Sequence, residues 1–319
     1  MAQQADGVRR TSDWPEDAAV EAAAQWASAV HRAPGSLAKV RTALGDAAAR
    51  AGLAATLRVL RSLPVVDLPL GRGATGTELR RWFGGDARVA VWDRGPVAVL
   101  QLPATTAEYL SGRPRQALRT NVTRARKAGL TCTLVTTDAE RRASVDVVAR
   151  LRHQDPAAMV LELGLDGVCT RILVARTAEG EAVGLAELVL DGQVGGLATL
   201  VTAPGNPAGA ALRSLLHLAV VEHLLAEDVR TLVVSGSMLL TAAGTRYHQR
   251  RTGFVPARVR LVETAQPISA RSEGRLAASP GWSTTPGSAS GSQATSVLSR
   301  LSTRPEGSRS PVGTASTVV

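Results

Sequence analysis

Between about residues 130 and 262 the chain switches between period-two and helical patterning in an order that few folds can accommodate. LTCTLVT (130–136) alternates as a strand, Asp138 then caps a helix running to about Arg152, and a shorter helix follows Pro156. Three strands come next: TRILVAR (170–176), AVGLAELVL (182–190) and VGGLATLVT (194–202). Glu179-Gly180 and Asp191-Gly192 separate them, and an Asp-Gly pair between apolar runs is a strong hairpin signal. The loop APGNPAG leads into a long helix, about 208–226, with Leu212, Leu215, Leu216, Ala219 and Val220 on its buried side. A buried strand VRTLVVS (229–235), a helix of about 239–251 and a last strand FVPARVRLV (254–262) complete the run. This order predicts an α/β fold in which a mixed, mostly antiparallel sheet is flanked by helices.

Two loops in the stretch carry chemical content. Asn206-Pro207-Ala208-Gly209-Ala210-Ala211 leaves a strand and opens a helix. Small residues there let backbone N–H groups approach phosphate oxygens at the positive end of a helix. Pro207 lacks an N–H, which the first turn of a helix tolerates. The second loop, Gly253-Phe254, closes a helix and enters a strand, with the glycine suited to a C-cap and the phenylalanine to the core.

The order of elements, with these two loops, resembles the GCN5-related N-acetyltransferase (GNAT) superfamily. In that family's pyrophosphate loop a Gln or Arg is followed three residues on by Gly and then by Gly or Ala; here Asn206 takes the first place. The resemblance implies acetyl-CoA or another acyl-CoA as co-substrate, held by Asn206, Ala208, Gly209, Ala210 and Ala211. It implies an N-acyltransferase in which an amine attacks the thioester directly, with backbone amides near Val201 and Thr202 polarising the carbonyl. The amine belongs to a small molecule or a peptide.

The departures from the family pattern fall on the acid and the base. The family's general-acid tyrosine aligns with Gln249, while Tyr247 lies two residues earlier. Tyr247 is the candidate acid, because a phenol can donate to a departing sulfur; the alternative is a packed ring with its hydroxyl at the surface. The strand 194–202 has no carboxylate, so Glu187 on the preceding strand is the candidate base, and His248 is a third candidate. His217 and His223, on a mostly apolar helix, read as packing residues. The missing carboxylate and displaced tyrosine leave a catalytically inactive GNAT-fold binding module as a different reading.

Upstream, Ala-rich residues 1–64 read as helices, one capped at Ser12/Asp13 and running to about His31, another capped at Ser36. ARVAVWD (87–93) and PVAVLQL (96–102), joined by Arg94-Gly95, read as a hairpin. Helices follow at roughly 105–111 and 115–128. In the second, Leu118, Val122 and Ala125 form an apolar stripe, which leaves Arg113, Arg115, Arg119, Arg124, Arg126 and Lys127 largely outward. This basic helix resembles the one joining the two acetyltransferase-like halves of Fem-type aminoacyltransferases. That resemblance makes residues 65–129 a degenerate first half, offers an aminoacyl-tRNA-dependent transferase as the alternative activity, and places tRNA against Arg115, Arg119 and Arg126. A solvated helix face is the other reading.

Gly71-Arg-Gly73-Ala-Thr-Gly76 matches a dinucleotide fingerprint, with Asp93 further on. Its context does not: Pro64 flanks and Pro69 interrupts VVDLPL, unsuited to a central parallel strand, so a surface glycine loop is expected. Of the 37 basic residues only Lys39 and Lys127 are lysines, and the net charge of +10 favours anionic partners. Aromatic residues at 3% argue against stacking-based single-strand binding. Cys132 and Cys169 have no partners at metal-ligand spacing, so neither a zinc site nor a disulfide framework is expected. The longest apolar run, near Leu215–Leu225, is interrupted by His217, Glu222 and His223, and the first residues lack an apolar signal core. A cytoplasmic chain with no membrane partner is the expectation. After about residue 265 Ser, Thr, Gly and Pro dominate, predicting a disordered tail (265–319) behind a 130–264 acyltransferase domain.

Overall fold

The computed structural model describes residues 17–84, 96–153, 168–203, 209–234 and 236–264. The cap expected at Ser12/Asp13, the strand 87–93, the helix after Pro156, Asn206, Ala208 and the tail lie outside them.

Three helices come first: α1 (Asp17–Arg32), α2 (Gly35–Leu44) and α3 (Ala47–Ser62). Asp46 caps α3 by accepting from the Ala49 N–H at 2.7 Å. α2 begins at Gly35, one residue ahead of the expected cap Ser36, because Pro34 already sets the extended entry. Gly52 lets α3 close on α1, since a Cβ there would lie 2.6 Å from the Trp26 ring.

An eight-stranded sheet forms the body: β1 (Val65–Leu70), β2 (Val97–Gln101), β3 (Thr131–Leu134), β4 (Thr170–Arg176), β5 (Ala182–Asp191), β6 (Val194–Thr202), β7 (Thr231–Val234) and β8 (Val255–Glu263). Its order is β1-β8-β2-β7-β6-β5-β4-β3, with β1/β8 and β6/β7 parallel and every other pair antiparallel. The mixed, mostly antiparallel sheet expected from the sequence is therefore present. The turn expected at Arg94-Gly95 lies outside the described residues with its first strand; β2 itself sits between β7 and β8. VVDLPL is a parallel strand at the sheet edge, where Pro69 lacks no needed ladder bond.

Helices cover both faces. On one lie α4 (Ala74–Gly84) and α7 (Asp138–Arg152). Leu79 and Phe83 of α4 pack over Leu68, Leu70, Val97, Val99 and Val233, and Val148, Ala149 and Leu151 of α7 over Ile172, Leu185 and Val201. The α7 cap is Thr137, whose hydroxyl accepts from the Glu140 N–H while Glu140 reaches back to the Thr137 N–H; Asp138 is the first helical residue instead. On the opposite face lie α5 (Thr106–Tyr109), α6 (Gln116–Lys127), α8 (Gly209–Ala226) and, at its end, α9 (Ala243–Thr252). Leu118, Val122 and Ala125 of α6 are buried with Leu212, Leu216 and Leu224 of α8 against the sheet. α8 is long and apolar enough to cross a membrane by length and composition, yet Leu212, Leu216, Val220, Val221 and Leu224 are fully enclosed by protein. It is the core helix of this domain.

Candidate functional site

The register of β6 has a break in it. Leu188 of β5 faces Leu197, but Glu187 faces Thr199, so Ala198 is an extra residue, a β-bulge. Parallel pairing with β7 ends at the same place, with Leu197 against Val234. Beyond it β6 runs on to Thr202 with no strand on its β7 side among the described residues.

Strand geometry decides what that open edge presents. The Ala203 N–H donates to Val183 O at 2.8 Å, toward β5. Alternation then turns the Val201 groups toward β5 as well, and aims the N–H and C=O of Leu200 and Thr202 to the other side, where no strand lies among the described residues. A Cβ on Gly184 of β5 would lie 3.2 Å from Val201 O, which agrees. Of the two amides expected to polarise a carbonyl, that of Thr202 points away from β5 and that of Val201 lies within the β5–β6 ladder. Leu200 joins Thr202, and the bulge that selects this pair leaves no mark in the sequence.

α8 begins at Gly209. A Cβ built on Gly209 meets nothing within 4 Å, so no internal packing requires a glycine there. Ala210 and Ala211 continue the first turn, with Ala211 buried against the core. Small residues, an open approach and the first unpaired N–H groups of an 18-residue helix fit a phosphate group at this end. Arg213, one turn in, acts electrostatically on His248, so a cation stands close to both helices.

His248 belongs to a buried cluster that ties α5, α8 and α9 together. The Tyr109 hydroxyl donates to Thr252 O at 2.7 Å and lies 2.7 Å from His217 Nε2. Its one proton being committed, the phenol accepts from His217, which makes Nε2 the protonated nitrogen of a neutral imidazole. The His217 and His248 rings stand edge to face at 5.9 Å. Burial above all, then His248 and Arg115, holds His217 well below the ordinary histidine range. Burial, then Arg213, pushes His248 down to about 4. The Arg115 guanidinium lies 5.2 Å from the centre of the Tyr109 ring and donates to Arg251 O. It fills the space beside Gly253, whose φ of 92° makes it the expected left-handed C-cap.

The candidate acid and base fall in contrasting surroundings. Tyr247 is 65% exposed, with Arg251 stacked 5.9 Å from its ring centre. Gln249, at the family's tyrosine position, is buried, and its Oε1 has no hydrogen-bond partner among the described residues. Glu187 is 4% exposed, on the α7 face of the sheet opposite Thr199, whose hydroxyl accepts from Arg152. The structure does not join Tyr247, Glu187 and His248 into one hydrogen-bonded set.

Each of the three arginines expected to meet tRNA makes a contact within the chain, Arg119 and Arg126 while exposed. Besides the contacts of Arg115, Arg119 donates to Leu110 O and Gly112 O, and Arg126 pairs with Glu222 at 3.9 Å. Arg113, Arg124 and Lys127 are exposed on the outward side. The thiol of Cys132 is half-buried beneath this layer and pushed up to about 12 by burial and then Glu222.

The other glycine loop is enclosed rather than superficial. Gly71, Thr75 and Gly76 are buried, and the Gly71 N–H donates to Asp191 Oδ2 at 2.6 Å. Asp191, at the β5–β6 hairpin, thus brings its own carboxylate to the start of α4. Arg80 fastens the loop by donating to Leu70 O and Gly71 O.

No protein-family model matches the sequence, and no curated protein matches it. Among solved structures the chain is similar to the C-terminal domain of a putative lysylphosphatidylglycerol synthetase from Agrobacterium fabrum, at 14% identity over 51% of this chain and 58% of that one, with a TM-score of 0.36. It is similar to FemX at 10% identity, over 51% of this chain and 59% of that one, with a TM-score of 0.41. A tandem GNAT protein from the clavulanic acid biosynthesis pathway matches at 17% identity over 67% and 69%, with a TM-score of 0.35. The chain spans less than two thirds of the first two structures' length. These neighbours are of the GNAT and Fem kinds that the sequence resembles.

Proposed function

We propose that this chain is an acyl-CoA-dependent N-acyltransferase acting in the cytoplasm. Two observations support the reading: the bulge at Ala198 and the end of β7 pairing turn the Leu200 and Thr202 amides away from β5 with no described strand across from them, and a Cβ on Gly209 in the first turn of α8 would meet nothing within 4 Å. The α8 N-terminus, from Gly209 to Ala211, holds the pyrophosphate; Arg213 adds positive charge. The Leu200 and Thr202 N–H groups donate to the thioester carbonyl oxygen and to the oxyanion it becomes. As the amine nitrogen bonds to the carbonyl carbon, the carbon–sulfur bond breaks and the sulfur leaves as thiolate. Glu187 is assigned the proton lost by the amine. Tyr247 is assigned the proton gained by the sulfur, because Tyr109, the chain's other tyrosine, has its hydroxyl committed at both ends. His248 is neutral near pH 7, and its part is to hold α9 against α8.

An aminoacyl-tRNA-dependent transferase is the second reading, favoured by the outward Arg113, Arg124 and Lys127 of the α6 region. Melting curves with acetyl-CoA, longer acyl-CoAs and bulk tRNA separate the two. The first reading expects a rise in Tm with one of the acyl-CoAs and none with tRNA. The second expects a salt-sensitive rise with tRNA, lost on reversing Arg113, Arg124 and Lys127 to Glu. If nothing shifts Tm, both transferase readings fall and the inactive binding module stands.

A further inference from the structure

Among the large apolar side chains that stand exposed, four cluster in the N-terminal helices. Leu37, Val40 and Leu44 of α2 are 88%, 59% and 49% exposed, and Leu57 of α3 is 42% exposed. The i, i+3, i+7 spacing puts the three α2 residues along one side of the helix. Its other side is satisfied: Ala43 is buried with Trp26 and Val30, and the Trp26 indole N–H reaches Ala43 O. α2 thus packs by a narrow alanine seam and turns its bulkiest residues outward, the reverse of an ordinary amphipathic surface helix.

The charge around this stripe has one sign. Between Glu21 and Asp67 the only acidic residue is Asp46, against Arg32, Lys39, Arg41, Arg50, Arg58 and Arg61. Asp46 is engaged at the α3 cap, and Glu21 is held by Arg246 of α9 at 2.5 Å. An apolar stripe inside a cationic field repels a second copy of itself. A surface offering hydrocarbon to the leucines and phosphates to the arginines satisfies both at once.

We propose that α2, with the adjoining face of α3, docks on an anionic phospholipid bilayer. The leucines enter the acyl boundary, and Arg41 and its neighbours meet the headgroups. The Glu21–Arg246 pair and the packing of Val20 on Met238 and Leu239 fix these helices to the region that follows β7. Docking would therefore hold the acyltransferase body at a membrane surface without any segment crossing it. This inference is independent of the reaction proposed above.

Co-sedimentation of the full chain with vesicles of phosphatidylcholine, alone or mixed with phosphatidylglycerol, tests it. The expected result is partitioning onto the mixed vesicles that weakens with salt. Leu37→Ser/Val40→Ser/Leu44→Ser, which keeps every charge, should bind at least about tenfold more weakly at unchanged Tm. The single Leu37→Ser, at the most exposed site, shows part of that loss should the triple variant fold poorly. Wild type that stays in the supernatant overturns the proposal, as does a triple variant that binds like wild type, since general basicity then suffices. So does a wild-type dimer that the triple variant disperses, because a second copy then covers the stripe.

Discussion

At Gly71–Gly76 and at Gly209 a strand passes through a small-residue loop into a helix, and the two loops part ways at the first added atom. A Cβ on Gly76 would lie 2.1 Å from Gly71 O and 2.8 Å from Asp191 Oδ2, whereas a Cβ on Gly209 would meet nothing. The first loop looks like a nucleotide fingerprint in sequence and is closed around the chain's own carboxylate. The second is the weaker motif, and Gly209, where its helix begins, has nothing within 4 Å of an added Cβ. A helix N-terminus attracts an anion in either case. What separates a structural latch from a ligand site is whether the fold supplies that anion itself.

The largest expected effect sharpens this contrast. Gly76→Ala forces the loop off Gly71 and Asp191 and should cost about 3 kcal/mol or more, by the usual cost of overpacking. Gly209→Ala should change stability by less than about 0.5 kcal/mol, as surface substitutions do. Calorimetric melting of the two variants reads the difference directly, and equal losses would erase the distinction.

Acid should soften the open side first. His217 and His248 both titrate below their ordinary range, so the unfolded chain binds protons that the folded chain refuses. Stability is complete above pH 6.5, the unfolded value, and is lost as pH falls toward the folded value of about 4 for His248. That group alone is worth about 3 kcal/mol, from the energy of a pKa shift. Hydrogen exchange across this window should lose protection in α8 and α9 before the 71–84 loop and helix. Uniform loss would mean that the histidine cluster is not what holds that side.

A smaller effect probes the latch. Asp191→Ala leaves the Gly71 N–H without its acceptor and should cost about 2 kcal/mol, the penalty for a buried unpaired donor. Binding at the α8 loop should be untouched, since β5 and β6 still pair along their length. A loss of ligand affinity in this variant would show the two loops to be coupled.

Most of the fold was legible because its elements announce themselves locally. The period-two runs of β4, β5 and β6, the Asp191-Gly192 turn and the Gly253 cap each stand where local rules put them. The insertion of β2 between β7 and β8 was not legible, since Val97–Gln101 reads the same beside any partner. The bulge at Ala198 is a register event between two strands, so only pairing reveals that Leu200 and Thr202, and not Val201, face outward. Arg115, Arg119 and Arg126 read as free cations because sequence shows charge but not the carbonyl, ring or carboxylate that each one reaches. Asp191 read only as a turn residue; its second partner lies 120 positions away.

Isothermal titration of wild type and Gly209→Glu with acetyl-CoA and longer acyl-CoAs tests the central claim most directly. The open first turn of α8 predicts that wild type binds at least one of them. Gly209→Glu should weaken that binding at least about a hundredfold through clash and like-charge repulsion at the pyrophosphate position. Its Tm should be unchanged, because an acidic residue in a helix's first turn favours the dipole. No binding by wild type at millimolar concentration, or equal binding by the variant, would contradict the assignment of this loop to coenzyme A.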